Sequence, residues 1–102
     1  MVKLEVGMCV SNEPGFYKDG EFGIRIENVI MVQPHATFTD RLKFENLTFC
    51  PYSRELIDVG LLSPNDKSYL NAFNQTCIEL LTPLLTGDDL ALNYLKKQCA
   101  PF

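Results

Sequence analysis

The 102-residue sequence has no tryptophan, a single histidine and no surplus of basic residues. Nine Lys and Arg against thirteen Asp and Glu give a formal net charge of -4. A protein that binds nucleic acid by neutralising phosphates normally carries a basic surplus, so we expect no nucleic-acid partner. No apolar run approaches the roughly 20 residues of a membrane-spanning helix, and the N-terminus lacks a secretory apolar region. We therefore expect no membrane association and a cytoplasmic location.

Closely spaced cysteine pairs are also absent. The sequence has four cysteines, which are far apart: Cys9, Cys50, Cys77 and Cys99. Without a C-x-x-C pair a structural zinc site is disfavoured, and without a secretory signal we predict free and mostly buried thiols. His35 lies in a loop-like stretch with no nucleophile motif nearby, so we expect an exposed polar side chain and no nucleophilic catalysis.

The first half of the sequence has the character of β-strands separated by turns. An apolar run at residues 8–10 is followed by Pro14-Gly15, which suits the central positions of a type II turn. Residues 22–32 form a β-prone run of eleven residues, longer than a typical strand of about five or six, so we predict a bend or bulge within it. Pro34 ends this run, and residues 47–50 are a further predicted strand.

The second half has helical periodicity and helix-capping signals. Ser63-Pro64 is typical of an N-cap followed by a first-turn proline. Apolar residues then recur with a period of about 3.6 until Pro83, which we expect to kink or end the helix. Gly87 terminates this segment, and Asp88-Asp89 begins a last helix. Strands followed by helices predict an α+β fold, strand-rich over residues 1–50 and helical over 51–102.

Two glutamates stand out from the solvated acids. Glu13 lies where an apolar run meets the predicted turn. Glu27 lies inside the long run, where burying an unpaired carboxylate would be costly. The residues alone leave three interpretations of Glu27 open: a salt bridge with Arg25 on the same strand face, a half-exposed face, or a metal or catalytic role. Two glutamates are in any case too few to hold a catalytic metal.

Two motifs of the first half resemble the end of the catalytic domain of Xaa-Pro aminopeptidases. They are Ser11-Asn12-Glu13-Pro14-Gly15-Phe16-Tyr17 and Gly23-Ile24-Arg25-Ile26-Glu27-Asn28, in the family's order and spacing. After residue 44 the chain resembles the aminopeptidase P branch, although Tyr69 stands where that branch typically has tryptophan. The resemblance implies the C-terminal part of a pita-bread metallopeptidase domain, related to prolidase and methionine aminopeptidase.

The family's dinuclear metal site, usually manganese, is held by two aspartates, one histidine and two glutamates. By this resemblance Glu13 is a metal ligand and the proton acceptor for the attacking water, and Glu27 is the ligand that bridges both ions. Arg25 matches an arginine that orients the site. The aspartates and histidine have no counterpart in this chain. The resemblance thus implies two of five ligands, an inactive fragment and no metal bound by the fragment alone.

The implied function is that of a C-terminal fragment of a hydrolase that releases the N-terminal residue from peptides with proline in second position. Two alternatives remain open, a prolidase fragment and a non-catalytic pita-bread module used for binding or oligomerisation. The chain enters an apolar segment close to Met1, so we expect it to begin inside a longer domain. Such a part exposes surface that the whole would bury, which predicts a homo-oligomer.

Overall fold

The computed structural model describes residues 2–102 as two units, the first ending at Thr48 and the second covering Phe49–Phe102. Met1, near which we expected a break within a longer domain, lies outside the described residues. Strands come first and helices follow, so the predicted α+β order is confirmed. Within residues 2–102, no helix has the length and apolar character needed to cross a bilayer.

The strands of the first unit form two antiparallel sheets. Their bounds are β1 Cys9–Asn12, β2 Gly15–Lys18, β3 Phe22–Arg25, β4 Asn28–Pro34 and β5 Leu42–Asn46. In the larger sheet β4 lies between β1 and β5, with Ile30 opposite both Val10 and Asn46. β2 and β3 form a separate hairpin in which Phe16 faces Ile24. Val32, on the central strand, is completely buried.

The long β-prone run changes sheets part of the way along its length. It is interrupted at Ile26 and Glu27, which confirms the predicted bend: β3 pairs with β2, whereas β4 pairs with β1 and β5. At the interruption the Ile26 N–H donates to the Pro14 carbonyl at 3.0 Å, so the two crossing segments lie side by side. The prediction that Glu27 lies inside a continuous strand is therefore wrong. Glu27 lies in the link between two strands.

The turn predicted at Pro14-Gly15 is also wrong. A type II turn needs a positive φ at its glycine, but positive φ is found at Gly7, Gly20 and Gly87 among the described residues, and not at Gly15. Gly15 instead begins β2, opposite Arg25. The chain passes from one sheet to the other here, and Pro14 fits the crossing because the strand ladder is broken where its missing N–H would lie.

The strand predicted at residues 47–50 lies earlier in the chain, at Leu42–Asn46. Leu47 adds one backbone hydrogen bond, donating its N–H to the Val29 carbonyl at 2.8 Å. The Val29 N–H then donates to the Thr48 hydroxyl at 2.8 Å. Because a side chain takes the place of the next ladder carbonyl, pairing with β4 ends at this point.

The helices of the second unit begin and end where the sequence signals predict. α1 covers Pro64–Leu81 and α2 covers Asp89–Gln98, with 3-10 turns at Arg54–Leu56, Val59–Leu61 and Thr82–Leu85. Ser63 and Asp66 form a reciprocal capping box before α1. Gly87, with φ of 90°, separates the helices, and the Asp88 side chain accepts from the Ala91 N–H to cap α2. These local signals suffice because each satisfies backbone groups that a helix end leaves unpaired.

The core of the second unit combines aromatic rings with two thiols. Its buried members are Phe73, Cys77, Leu95 and Cys99. The Phe73 ring stacks on Tyr52, with centroids 5.2 Å apart. All four cysteines are free, but Cys9 and Cys50 are exposed, so the prediction of mostly buried thiols holds for only half of them. Burial raises the pKa of Cys77 to about 11, so this thiol is protonated and inert at neutral pH.

Candidate functional site

Glu13 lies in the two-residue link between β1 and β2 and has both carboxylate oxygens hydrogen-bonded. The Ser11 hydroxyl donates to Oε1 at 2.8 Å, and Arg25 Nη1 donates to Oε2 at 3.2 Å. Ser11 belongs to β1 and Arg25 to β3, so the carboxylate is held between two sheets. This arrangement fixes the orientation of the carboxylate although its side chain is 44% exposed.

Glu27 approaches the same arginine from the link between β3 and β4. Its Oε2 lies 3.6 Å from Arg25 Nη1, and its side chain is 47% exposed. Of the three interpretations left open by the sequence, the salt bridge with Arg25 is thus observed, although Glu27 does not lie on a strand face. One arginine nitrogen therefore stands between two carboxylates that are fourteen positions apart in the sequence.

Arg25, the last residue of β3, is anchored by a tyrosine as well as by the glutamates. Its Nε donates to the Tyr17 hydroxyl at 2.9 Å. This hydrogen bond is the largest influence raising the pKa of Arg25, and the negative charge of Glu13 adds to it. The guanidinium is therefore held by the tyrosine hydroxyl as well as by the two glutamates.

Two glycines make room for the tyrosine ring on this face of the hairpin. In the β2–β3 register Gly15 faces Arg25 and Tyr17 faces Gly23. A Cβ added at Gly15 would lie 2.6 Å from the Tyr17 hydroxyl oxygen, and one added at Gly23 would lie 2.6 Å from Tyr17 Cδ1. Both distances are too short for real atoms, so a larger residue at either position would displace the Tyr17 side chain.

Ser11 and Tyr17 are site residues that the sequence reasoning did not identify. Ser11 is two positions from Glu13, a spacing that places side chains on the same side of an extended chain. That spacing could have indicated Ser11. The contact between Tyr17 and Arg25 depends on the pairing register of two strands, which a single sequence does not reveal.

The carboxylate oxygens on this surface are ligands of the kind that a hard divalent cation prefers. Two carboxylates carry two negative charges and Arg25 returns one positive charge, which leaves a net negative site lined by oxygen ligands. No group of three or more His, Cys, Asp or Glu that could hold a metal occurs within residues 2–102. Within the described residues, this surface thus brings together two carboxylates.

His35 lies away from the two glutamates along the chain, in the loop that follows β4. It is half-buried rather than exposed as predicted, because its Nδ1 accepts the backbone N–H groups of Thr37 and Phe38 at 3.1 and 3.3 Å. Its ring also packs against Phe38, with centroids 5.0 Å apart. Its observed contacts are those of a loop-ordering side chain.

Comparison with known proteins gave matches over both halves of the chain. A family model described as metallopeptidase family M24 matches residues 1–34, and one described as the C-terminal region of that peptidase matches residues 40–102. A Laccaria bicolor protein named "probable Xaa-Pro aminopeptidase P" is 45% identical over 103 residues, covering 96% of this chain and 16% of that protein. A Tuber melanosporum protein of the same name is 46% identical over 105 residues, covering 98% and 17%.

A solved structure shares the fold. It is the X-prolyl aminopeptidase from Caenorhabditis elegans, described as a cytosolic enzyme with a di-nuclear active site. It superposes with a TM-score of 0.83 at 27% sequence identity, covering 97% of this chain and 17% of that one. The present chain spans about a sixth of the length of the curated relatives it matches.

Proposed function

Because this chain belongs to metallopeptidase family M24, we propose that it supplies part of the metal site of an Xaa-Pro aminopeptidase. The observation that carries this proposal is the position of Arg25 Nη1, 3.2 Å from Glu13 and 3.6 Å from Glu27. Two carboxylates from separate strand links meet there around a positive charge. The names of the relatives and the di-nuclear active site of the structural neighbour support the same function.

In this proposal Glu13 and Glu27 would be ligands that hold two divalent ions, manganese in the first instance. Such a pair of ions, when bound, activates water and polarises the scissile carbonyl. Glu13 also accepts the proton of the attacking water. Its two hydrogen bonds, from Ser11 and Arg25, hold the carboxylate in one orientation before substrate arrives. Arg25 directs both carboxylates to the same place.

The proposed substrates are peptides with proline in second position, from which the N-terminal residue is released in the cytoplasm. Within this function, residues 1–50 carry the glutamate motifs and residues 51–102 form a helical C-terminal extension. The match of residues 40–102 to the C-terminal region model, and the names of the relatives, favour aminopeptidase P over a dipeptide-cleaving prolidase.

The test uses the full-length protein that contains this chain, with Xaa-Pro-Yaa tripeptides compared with Xaa-Pro dipeptides. Tripeptides should be the better substrates. Glu13→Gln should lower kcat by about 100-fold or more, the usual effect of losing a proton acceptor. Glu45→Gln, which removes an exposed carboxylate from β5, is the matched control and should leave kcat unchanged. Preference for dipeptides would indicate prolidase, and full activity in Glu13→Gln would contradict the role of Glu13. Absence of peptidase activity in the wild-type protein would indicate a non-catalytic module.

For the 102-residue chain by itself the proposal is inactivity, weak Mn²⁺ binding and self-association. Two carboxylates are too few ligands for a tight site. The exposed apolar side chains Phe16, Phe22 and Ile24 support self-association. Micromolar Mn²⁺ binding in a calorimetric titration, or a strictly monomeric species in sedimentation at high concentration, would contradict these statements.

A further inference from the structure

The second unit contains three free thiols, of which two are buried and one is exposed. Cys77 and Cys99 belong to its core, whereas Cys50 is exposed. We propose that Cys50 and Cys99 form a reversible disulfide when the protein meets a peroxide, which links the beginning of the second unit to the end of α2. The proposal is independent of the proposed peptidase function, because neither thiol belongs to the candidate site.

The first argument is that the segment containing Cys50 is bound to the residues on both sides of Cys99. The Arg54 backbone N–H donates to Gln98 Oε1 at 2.8 Å, and the Arg54 guanidinium donates from Nη1 to the Ala100 carbonyl. Cys50 lies four positions before Arg54, so at most about 14 Å of extended chain separates their backbones. The two thiols therefore belong to segments that lie side by side.

The second argument is the packing of the residues around Cys50. Phe49, which precedes it, and Tyr52, two positions after it, both pack against the core that contains Cys99. Cys50 is thus held between two residues that are anchored on this core. Burial is the main cause that raises the pKa of Cys99, and the charge of an ionised Cys50 raises it further. The Cys50 sulfur is accordingly close enough for its charge to act on the Cys99 thiol.

Cys99 rather than Cys77 is the partner because of their different places in the helices. Cys77 is completely buried inside α1, where the backbone hydrogen bonds of the helix hold it in place. Cys99 is the C-cap of α2, with φ of -90° and ψ of 5°, and no helix continues beyond it. A disulfide requires a narrow range of distances and angles. The backbone at a helix end can adjust to that geometry, whereas a residue inside a helix cannot move without breaking hydrogen bonds.

The reaction begins at Cys50, because it is the exposed thiol of the three. Its thiolate attacks one oxygen of the peroxide, the O–O bond breaks, and Cys50 becomes a sulfenic acid. The Cys99 sulfur then attacks the Cys50 sulfur, the S–O bond breaks, and the sulfenic oxygen leaves as water with the Cys99 proton. Together the two thiols lose two electrons and two protons, and hydrogen peroxide is reduced to two molecules of water. A reducing thiol reverses the change by exchange with the disulfide.

The test treats the full-length protein with hydrogen peroxide and identifies disulfides by mass spectrometry of unreduced tryptic peptides. Trypsin separates the three thiols, because cleavage after Lys43, Arg54, Lys67, Lys96 and Lys97 places each cysteine on its own peptide. We expect a linked pair of peptides that joins Cys50 to Cys99 and that dithiothreitol separates. A link from Cys50 to Cys77, a link between Cys77 and Cys99, or the absence of any link to Cys50 would overturn the proposal.

A second readout is hydrogen–deuterium exchange at residues 95–102. A disulfide restrains the local opening of this segment, so oxidation should slow its exchange about 10-fold or more, and dithiothreitol should restore the original rate. Cys50→Ser replaces an exposed residue and should abolish both the link and the slower exchange. Slower exchange that persists in oxidised Cys50→Ser would contradict the proposal.

Two further variants complete the test. Cys99→Ala keeps a small apolar side chain in the core, and without its partner Cys50 should be oxidised further to the sulfinic acid. Cys9→Ser is the matched control, since it removes the exposed thiol of the first unit. It should leave the link between Cys50 and Cys99 unchanged. If Cys99→Ala does not fold, the link in the wild-type protein still decides between the possible partners.

Discussion

Arg54 holds the last residues of the chain, and Arg54→Met measures the strength of that contact. The guanidinium donates from Nη1 to the Ala100 carbonyl and from Nη2 to the Pro101 carbonyl, and it lies 4.1 Å from the centre of the Phe102 ring. Methionine keeps most of the length and the apolar stem of arginine. The substitution therefore removes the charge and the donors while leaving most of the side-chain volume in place.

The expected size of the effect follows from the burial of each contact. The hydrogen bond to Ala100 is partly buried and has a charged donor, so it contributes about 1.5–3 kcal/mol. The Pro101 carbonyl is exposed and regains water when the arginine is lost. The cation–π contact with Phe102 adds about 0.5–1 kcal/mol. Taken together, the local opening free energy of the C-terminal segment should fall by about 2–4 kcal/mol, which speeds exchange roughly 30- to 900-fold.

Hydrogen–deuterium exchange read by mass spectrometry on peptides covering residues 95–102 is the assay. The informative amides are those of Cys99, which donates to Leu95, and Phe102, which donates to Asn71 Oδ1 at 2.9 Å. The matched control is Arg41→Met, which removes a similar cation–π contact over Phe38 in the first unit. Arg41→Met should leave exchange at residues 95–102 unchanged. A change of less than about threefold in Arg54→Met would refute the reasoning.

Two further predictions concern the second unit. The hydrogen bond from Lys97 is the main cause that lowers the pKa of Glu55 to about 2, so the stabilisation is complete above the ordinary pKa of 4.5 and is lost as pH falls from 4.5 towards 2. The unfolding midpoints of wild type and Glu55→Gln should thus differ at neutral pH and converge in strong acid. Ser63→Ala removes the cap of α1 and should lower the free energy of unfolding in urea by about 1 kcal/mol. Ser68→Ala, on the exposed side of the same helix, should change it little.

The helix ends could be predicted from the sequence because their determinants are local. Ser63 accepts from an N–H three residues further on, and Asp88 does the same for the second helix. Gly87 adopts a positive φ, a backbone conformation that glycine favours and that commonly follows the end of a helix. Each interaction lies within a few residues of the helix end that it satisfies, so no knowledge of tertiary structure is needed.

The strands were harder to predict because their ends depend on distant partners. Gly15 looked like a turn glycine, but it pairs with Arg25, ten positions later in the chain. The predicted strand at residues 47–50 lies instead at Leu42–Asn46, because the ends of β5 depend on its pairing with β4. The same limit applies to the candidate site. The motifs identify Glu13. By contrast, the contact between Tyr17 and Arg25 can be identified only when the pairing register of β2 and β3 is known.

The alternation that creates the polar face of the β2–β3 hairpin also creates an apolar face behind it. Tyr17 and Arg25 lie on one side, and Phe16 and Ile24 lie on the other, 59% and 42% exposed. A hairpin of two strands is at best marginally stable without packing on one face. The orientation of the Arg25 side chain depends on how well ordered the β2–β3 hairpin is, because Arg25 belongs to that hairpin. The accuracy of the carboxylate–arginine arrangement therefore depends on contacts to Phe16 and Ile24 as well as on the hydrogen bonds among the polar residues.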